Sequence, residues 1–529
     1  MVDDASLIRS SSLMALGTIF SRITGFIRNL FIVAVLGTGL LGDAYNVGNT
    51  TPNIIYNLLI GGSLTAVFVP QIVRAFRHDD GGKAFISRLV TALFTLLFTV
   101  TALAMLAAPL LVDLYAPTLD SRSRSLTLAF TLYCLPQIAF YGLFGILGQI
   151  TNAKEKFGPM MWAPIANNLV VIALFTYFLT VVDEISLQTI TDSQIMMLGI
   201  GTTLGIAIQA LVLIPTLKST GLNLRFRTDW RGVGLDKALR LASWMFLFVL
   251  ISQLGFLVTV NLATRAGVAA EAAGISYGVG YTPYANAYLI LLLPHSIVAI
   301  SIVTALLPRL STFVLDKKID EVKSALITAV RYIGIITVPA ALFFLLFGER
   351  VAQALFFGIS EESAIYIGRL LSAMALGLIP LSINLVLIRG LNAFENTKYQ
   401  VLSNLIINCV AVTLSLIAYV NMEPRSVTLG LALAFTASYW SGIVVTYFLL
   451  RKYTGALALG RTFLFYLKLI LASSISVIAV AYLAERLDLD GNIVALVGVL
   501  SAASLIYLLV ARVMRIEEVG QTIKVLLRR

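Results

Sequence analysis

The chain has 529 residues, of which 59% are hydrophobic and only 12% are charged, and its mean hydropathy is +0.92. These values lie far outside the range of soluble globular proteins and predict an all-α protein that crosses a membrane many times. The net charge of +11 does not indicate nucleic-acid binding, because the anionic lipids of the inner leaflet and the membrane topology account for basic loops.

Apolar segments of about 20 residues, the length that crosses roughly 30 Å of hydrocarbon, recur along almost the whole chain. They predict about fourteen transmembrane helices. In chain order these are 8–36, 41–75, 84–112, 125–152, 157–182, 194–218, 235–265, 282–313, 322–348, 362–394, 398–420, 426–451, 462–486 and 491–515.

The distribution of basic residues predicts the orientation of these helices. Most lysines and arginines fall in the loops that are cytoplasmic if the N-terminus is inside, which places both termini in the cytoplasm. The N-terminus lacks a basic region followed by a cleavage site, so we expect the first helix to be retained. Cys134 and Cys409 fall within predicted spans, so neither a disulfide nor redox chemistry is indicated.

Arg22 and Arg28 lie inside the first predicted span. An arginine in hydrocarbon costs about 2.5 to 3.5 kcal/mol on insertion scales and is usually retained where it faces a polar cavity or a partner. Two arginines in one span therefore indicate a cavity for an anionic ligand. The alternative is that one of them pairs with Asp43 or extends to the membrane interface.

Three short segments recur in order at a spacing of about 240 residues, which indicates an internal repeat. Because each copy contains six helices, the copies share one orientation and enclose a cavity between them. We therefore predict two pseudo-symmetric six-helix lobes, 1–220 and 221–455, followed by two further helices and a tail at 456–529. The matching segments are SRITGF and SQLGF at 21 and 252, VPQI and LPRL at 69 and 307, and NAKE and NAFE at 152 and 392.

The first seventy residues resemble one family in order and spacing, and the similarity extends over the whole chain. The family is that of the MurJ (MviN) lipid II flippases, within the superfamily of multidrug, oligosaccharidyl-lipid and polysaccharide exporters. The motifs that carry the resemblance are SRITGFIR at 21–28, GDA at 42–44, PNII at 52–55 and VFVP at 67–70.

The resemblance implies a V-shaped transporter, not an enzyme, in the bacterial cytoplasmic membrane. Its cargo is lipid II, the undecaprenyl-pyrophosphate-linked disaccharide-pentapeptide of peptidoglycan synthesis, moved from the inner to the outer leaflet by alternating access. No cofactor or metal is implied. The partners implied are lipid II and the bilayer. The resemblance leaves open whether other cell-wall synthesis or division proteins also bind.

The resemblance and the polar residues together suggest a candidate site. We expect a gate at Asp43 and Gly25, with the alternative that Asp43 is only a surface charge at a helix N-terminus. Arg389 is a tentative further cation, and an ordinary cytoplasmic flank is the alternative. The residues expected to bind substrate are Arg22, Arg28, Ser21, Asn53, Tyr56 and Asn57.

The chain departs from the family pattern at several cavity positions. Tyr56 and Asn57 stand where many relatives have an arginine, Gly61 replaces an acidic residue, and the arginine-bearing segment of helix 8 reads ANAYL at 285–289. Two of the usual cationic ligands are therefore missing. The alternative functions are export of another polyprenyl-linked glycan or multidrug antiport, followed by a polyprenyl-lipid glycosyltransferase or a cell-wall scaffold.

Overall fold

The structure is a computed structural model that describes residues 4–59, 69–154, 156–222, 224–229, 235–486 and 493–520. Within these ranges twelve helical segments are long and apolar enough to cross a membrane, and a thirteenth is a pair of helices bent by 47°. The remaining predicted segment, 41–75, includes residues 60–68, which lie outside the described ranges, as do Gly61 and the first two residues of the VFVP motif. The chain is a polytopic all-α membrane protein.

The contacts divide the chain into two units, Met1–Val268 and Ala269–Arg529. This division assigns all of the helix predicted at 235–265 to the first unit, whereas the predicted repeat assigns that helix to the second lobe. The lobe boundaries at 220 and 455 remain a prediction.

In the first unit, α1 packs along α8, α8 packs along α9, and α2 packs on α6 and α7. Its helices are α1 Asp4–Leu36, α2 Leu40–Leu59, α3 Val69–Ala75, α4 Lys83–Leu106, α5 Ala108–Tyr115, α6 Ser121–Cys134, α7 Gln137–Ala153, α8 Gly158–Val181, α9 Asp192–Leu211, α10 Leu213–Lys218 and α11 Leu235–Ala272, whose last residues belong to the second unit.

In the second unit, α14 packs against α15 and α19, α17 and α16 pack against α18, and α19 packs against α20. A π-helical turn, His295–Ala299, joins α12 to α13. The helices are α12 Tyr281–Pro294, α13 Ile300–Leu315, α14 Ile319–Leu355, α15 Glu361–Ala375, α16 Leu378–Ala393, α17 Thr397–Asn421, α18 Pro424–Thr454, α19 Leu459–Arg486 and α20 Ile493–Val513.

Prolines accompany the breaks that divide several predicted helices. A proline has no N–H group and its ring clashes with the preceding turn, so it favours a break or bend close by. The breaks between α4 and α5, α6 and α7, α9 and α10, and α15 and α16 lie within about one turn of Pro109, Pro136, Pro215 and Pro380.

The chain beyond α20 folds back onto the second unit. Arg515 adopts a positive φ of 53°, and the Ile516 N–H donates to Ala511 O, which ends the helix and reverses the chain. Ile516 and Val519 are buried as a result. Glu518 then forms an ion pair of 3.1 Å with Arg331 of α14, both side chains being more than three-quarters buried. The last two transmembrane helices are therefore fixed to α14 by apolar and ionic contacts.

Two glycines allow α14 and α15 to cross in close contact. A Cβ placed on Gly368 would lie 2.6 Å from the carbonyl oxygen of Gly348 and still closer to the backbone of Glu349. Small residues permit such approach in membranes, where helix association depends on van der Waals packing rather than on the hydrophobic effect.

We expect Gly368→Ala to lower the free energy of unfolding by about 1–3 kcal/mol, because the added methyl group has no space to occupy. The measurement is thermal unfolding of the purified protein in detergent. The control is Gly498→Ala in α20, where a Cβ meets nothing within 4 Å. Equal unfolding temperatures for the two variants would contradict the importance of this crossing.

Candidate polar site and apolar groove

Arg28 is half-buried on α1, and its Nε atom is buried without a hydrogen-bond partner among the described residues. Its charge interacts with the hydroxyl groups of Tyr45 on α2 and Tyr141 on α7. A buried donor that lacks an acceptor is costly, and an anionic oxygen removes that cost. Arg22 lies nearly two turns earlier and is exposed.

Ser21 and Gly25 lie where α1 contacts α8. Asn168 of α8 donates from Nδ2 to the Ser21 carbonyl oxygen at 3.0 Å and to the Thr24 hydroxyl at 2.9 Å. A Cβ on Gly25 would lie 3.4 Å from the same nitrogen, an ordinary van der Waals contact, so Gly25 faces Asn168 directly. The structure thus places both residues at a helix contact.

Gln137 is the centre of a hydrogen-bond network in the interior of the first unit. Its Nε2 atom donates to Asn49 Oδ1 of α2 at 3.3 Å and to Thr203 Oγ1 of α9 at 3.2 Å. Its Oε1 atom accepts from the Tyr141 hydroxyl at 3.3 Å. Gln137 is fully buried and therefore joins three helices through one amide group.

The predicted residues of α2 extend this network by one and two turns. Asn53 lies beside the Tyr141 hydroxyl and accepts from Asn57 Nδ2 at 2.7 Å. The rings of Tyr56 and Tyr141 lie 5.8 Å apart between centroids. Asn53, Tyr56 and Asn57 are therefore close to one another and to α7. We call the set Asn49, Asn53, Tyr56, Asn57, Gln137 and Tyr141 the polar ladder.

Asp43 lies near the start of α2 and is buried, with an exposed fraction of 2%. Tyr45, two residues later, donates to the Thr202 hydroxyl at 2.8 Å, since that hydroxyl itself donates to Leu198 O. An acid in the first turn of a helix is favoured by the helix dipole.

The sequence reasoning missed Asn49, Gln137, Tyr141 and Thr203. The sequence contains a pattern that indicates two of them: Gln137 and Tyr141 are four residues apart and therefore share one face of an otherwise apolar helix. Their partners Asn49 and Thr203 are distant in sequence and become recognisable only once the helices are packed.

The second unit holds a different pair of features. Arg389 on α16 is half-buried, and its Nε atom also lacks a partner within the described ranges. An apolar groove of about 280 Å³ lies between α14, α16, α18 and the start of α19. Its walls include Leu326, Leu387, Ile443 and Tyr447. Such a surface suits a hydrocarbon chain.

Known proteins resemble this chain over most of its length. The family described as "Lipid II flippase MurJ" matches residues 32–499. A probable lipid II flippase MurJ of Rhizobium meliloti is 26% identical over 443 residues, which cover 82% of this chain and 79% of that protein. The lipid II flippase MurJ of Burkholderia cenocepacia is 24% identical over 395 residues, 73% of each chain.

Solved structures share the fold at lower identity. The structure of a lipid II flippase MurJ in an inward closed conformation has a TM-score of 0.76 at 19% identity and covers 95% of this chain and 98% of its own. An inward-facing multidrug transporter of the MATE family has a TM-score of 0.65 at 14% identity, covering 84% of this chain and 100% of its own. Since the family match extends over most of the sequence, the chain belongs to the MurJ lipid II flippase family of multi-pass inner-membrane transporters.

Proposed function

We propose that this protein moves lipid II from the inner to the outer leaflet of the cytoplasmic membrane by alternating access. The observation that carries this proposal is Arg28, a cationic side chain inside a membrane helix with a buried donor that lacks a partner in the described chain. A guanidinium donates two parallel hydrogen bonds to phosphate oxygens, which matches the diphosphate of lipid II. An antiporter of cationic drugs would favour embedded carboxylates instead.

The diphosphate is held by few cations and by several neutral hydrogen-bonding groups. Arg28 and Arg22 supply charge. The hydroxyl group of Tyr56 and the amide group of Asn57 take the place of the arginine that the family resemblance implies, and Asn53 adds a second amide. Arg389 is a further candidate ligand. Ser21 contributes through the α1–α8 contact, because its backbone oxygen fixes Asn168 and thereby the position of α1.

Asp43 acts as a gate with Arg28. An ion pair that forms in one conformation and opens in the other gives the cargo a different affinity for each state, which any ligand-driven switch requires. Gly25 contributes by letting α1 move against α8 without a side chain in the way. The basic loops support cytoplasmic termini.

The apolar groove of the second unit accommodates part of the undecaprenyl chain. The cargo joins a polar headgroup to a long hydrocarbon, and each part needs its own surface. The polar ladder suits the headgroup, and the groove, lined mainly by apolar side chains, suits the hydrocarbon. Binding both parts fixes the cargo more precisely than either contact alone.

We expect Arg28→Ala to weaken lipid II binding about tenfold to a hundredfold, since a hydrogen bond to a charged group contributes about 1.5–3 kcal/mol. Arg28→Lys keeps the charge but not the two parallel donors, so its loss is smaller. Binding is measured on the purified variant. Transport is measured as the amount of lipid II that an externally added cleaving toxin can reach in cells depleted of their own flippase.

Arg77→Ala is the matched control, because Arg77 is exposed in the turn after α3. Asp43→Asn should retain lipid II binding and reduce the amount that reaches the outer leaflet, because it removes the gate and keeps the phosphate ligand. Full activity of a well-expressed Arg28→Ala variant would exclude Arg28 as a ligand. Failure of the intact, correctly inserted chain would redirect the proposal to another polyprenyl-linked glycan.

We expect Tyr141→Phe to lower the free energy of unfolding by about 1 kcal/mol, because its half-buried hydroxyl no longer donates to Gln137, the residue that joins α7 to α2 and α9. Binding of lipid II to the purified variant should weaken as well, since Asn53 loses a contact that orients it. The control is Tyr177→Phe on α8, whose side chain is 42% exposed. A variant that is destabilised yet binds normally would assign the ladder a structural role alone.

We expect Ile443→Trp to fill the groove and reduce transport, while binding of a water-soluble diphosphate sugar without the polyprenyl chain stays unchanged. Ile478→Trp adds the same bulk on the exposed face of α19, where 60% of the side chain is accessible, and should have no effect. Equal transport by both variants would exclude the groove as a hydrocarbon site.

A further inference from the structure

Residues 224–229 form an extended segment that follows α10 and lies along the first two turns of α4. The Arg225 N–H donates to the Ser87 hydroxyl and the Arg227 N–H to the Thr91 hydroxyl, each at 3.2 Å. Both hydroxyl groups are buried, with exposed fractions of 3% and 5%. We call residues 224–229 the strap.

The strap and α4 match in spacing. Residues four apart in a helix are separated by about 6 Å along its axis, and residues two apart in an extended chain by about 6.6 Å. Ser87 and Thr91 therefore meet alternate N–H groups of the strap without distortion. Leu224 packs against the apolar core on the same side.

The strap lies at the depth of the membrane surface. Its two partners belong to the span Lys83–Leu106 and follow Lys83 by about 6 and 12 Å along the helix. Backbone N–H groups at this depth compete poorly for water and need protein acceptors, which the two hydroxyls supply. A loop that extended into the cytoplasm would not need these acceptors, because water would hydrogen-bond its N–H groups.

The exposed side chains of the strap combine an aromatic ring with positive charge. Phe226 is 76% exposed, and Arg225 beside it is exposed as well. Arg227 binds Asp229 through two hydrogen bonds of 2.9 and 2.8 Å, and Arg88 lies 3.8 Å from the same carboxylate. Aromatic rings favour the interface between headgroups and acyl chains, and basic residues favour anionic lipid.

We propose that the strap is a docking surface for anionic phospholipid of the inner leaflet, with Phe226 inserted below the headgroups and Arg225 on their phosphate oxygens. The surface holds the chain that leads into α11 at the membrane. The leaflet assignment rests on the orientation proposed above, whereas the depth and the lipid preference do not depend on lipid II transport.

The first test measures the depth of residue 226. A nitroxide is attached to Phe226→Cys in a Cys409→Ser background, with Cys134 left buried, and the full chain is placed in nanodiscs of phosphatidylglycerol and phosphatidylethanolamine. Relaxation by oxygen should exceed relaxation by a water-soluble nickel chelate, as at the control Leu169→Cys on the exposed face of α8. Accessibility equal to that of Asp79→Cys, in the exposed turn after α3, would overturn the proposal.

The second test measures the lipid preference by native mass spectrometry of the protein in mixed micelles. Arg225→Gln should lower the retention of phosphatidylglycerol relative to phosphatidylcholine about fivefold, since one basic residue near an anionic surface contributes roughly that factor. Arg350→Gln is the control, because Arg350 lies near the end of the span Ile319–Leu355, on the side that the proposed orientation assigns to the outer leaflet. Unchanged retention with Arg225→Gln would exclude the phosphate contact.

Ser87→Ala together with Thr91→Val removes the two hydroxyl acceptors of the strap and should increase the mobility of the nitroxide label at residue 226.

Discussion

Polar groups at membrane depth need partners within the protein, and this requirement governs much of the structure. Water is scarce in hydrocarbon, so an unpaired amide, hydroxyl or N–H group there costs several kcal/mol. Asn168 donates a hydrogen bond to a backbone carbonyl group of α1, and Gln137 donates to side chains on two other helices. The hydroxyl groups of Ser87 and Thr91 accept from backbone N–H groups of the strap. The unpartnered Nε of Arg28 departs from this rule within the described chain. Eight other buried side-chain atoms of the described ranges also lack a partner, among them the Nε atoms of Arg331 and Arg389. The charge of Arg28 within a membrane helix is what suits this position to an anionic ligand.

The two units offer different chemistry. The first unit provides amides, phenols and a guanidinium on α1, α2 and α7, and the second provides an apolar groove beside α19. An amphipathic lipid needs both kinds of surface, because its headgroup loses water only against hydrogen-bonding groups and its chain gains from apolar contact. The return of the chain after α20, fixed by Arg331 and Glu518, holds α19 and α20 on α14. The wall of the groove therefore depends on residues beyond the predicted repeat.

Much of the fold follows from the sequence, because twenty-residue apolar runs have one stable form in a membrane. Most helix bounds agree with the structure within about four residues, but α11 and α14 extend to Ala272 and Leu355, about two turns beyond the predicted ends at 265 and 348. The breaks near Pro136 and Pro380 require knowledge of how each proline is accommodated. Arg28 is recognisable from its type and position. The polar ladder is recognisable only in part, through Asn53, Tyr56 and Asn57. Asn49, Gln137 and its partner Thr203 are far apart in sequence, and each alone resembles an ordinary interhelical hydrogen bond. Those partnerships depend on the relative rotation of three helices, which hydropathy does not encode.

The crossing of α14 and α15 has a consequence for how the gene tolerates mutation. At Gly368 the nearest backbone atoms leave no room for a single carbon, so every missense change adds an atom where none fits. Polarity and charge are secondary at such a site, and alanine and serine are excluded for the same reason as leucine. At most lipid-facing positions, by contrast, size varies freely and charge is excluded. The chain thus experiences two separate kinds of selection, one on volume at helix crossings and one on charge at the lipid surface.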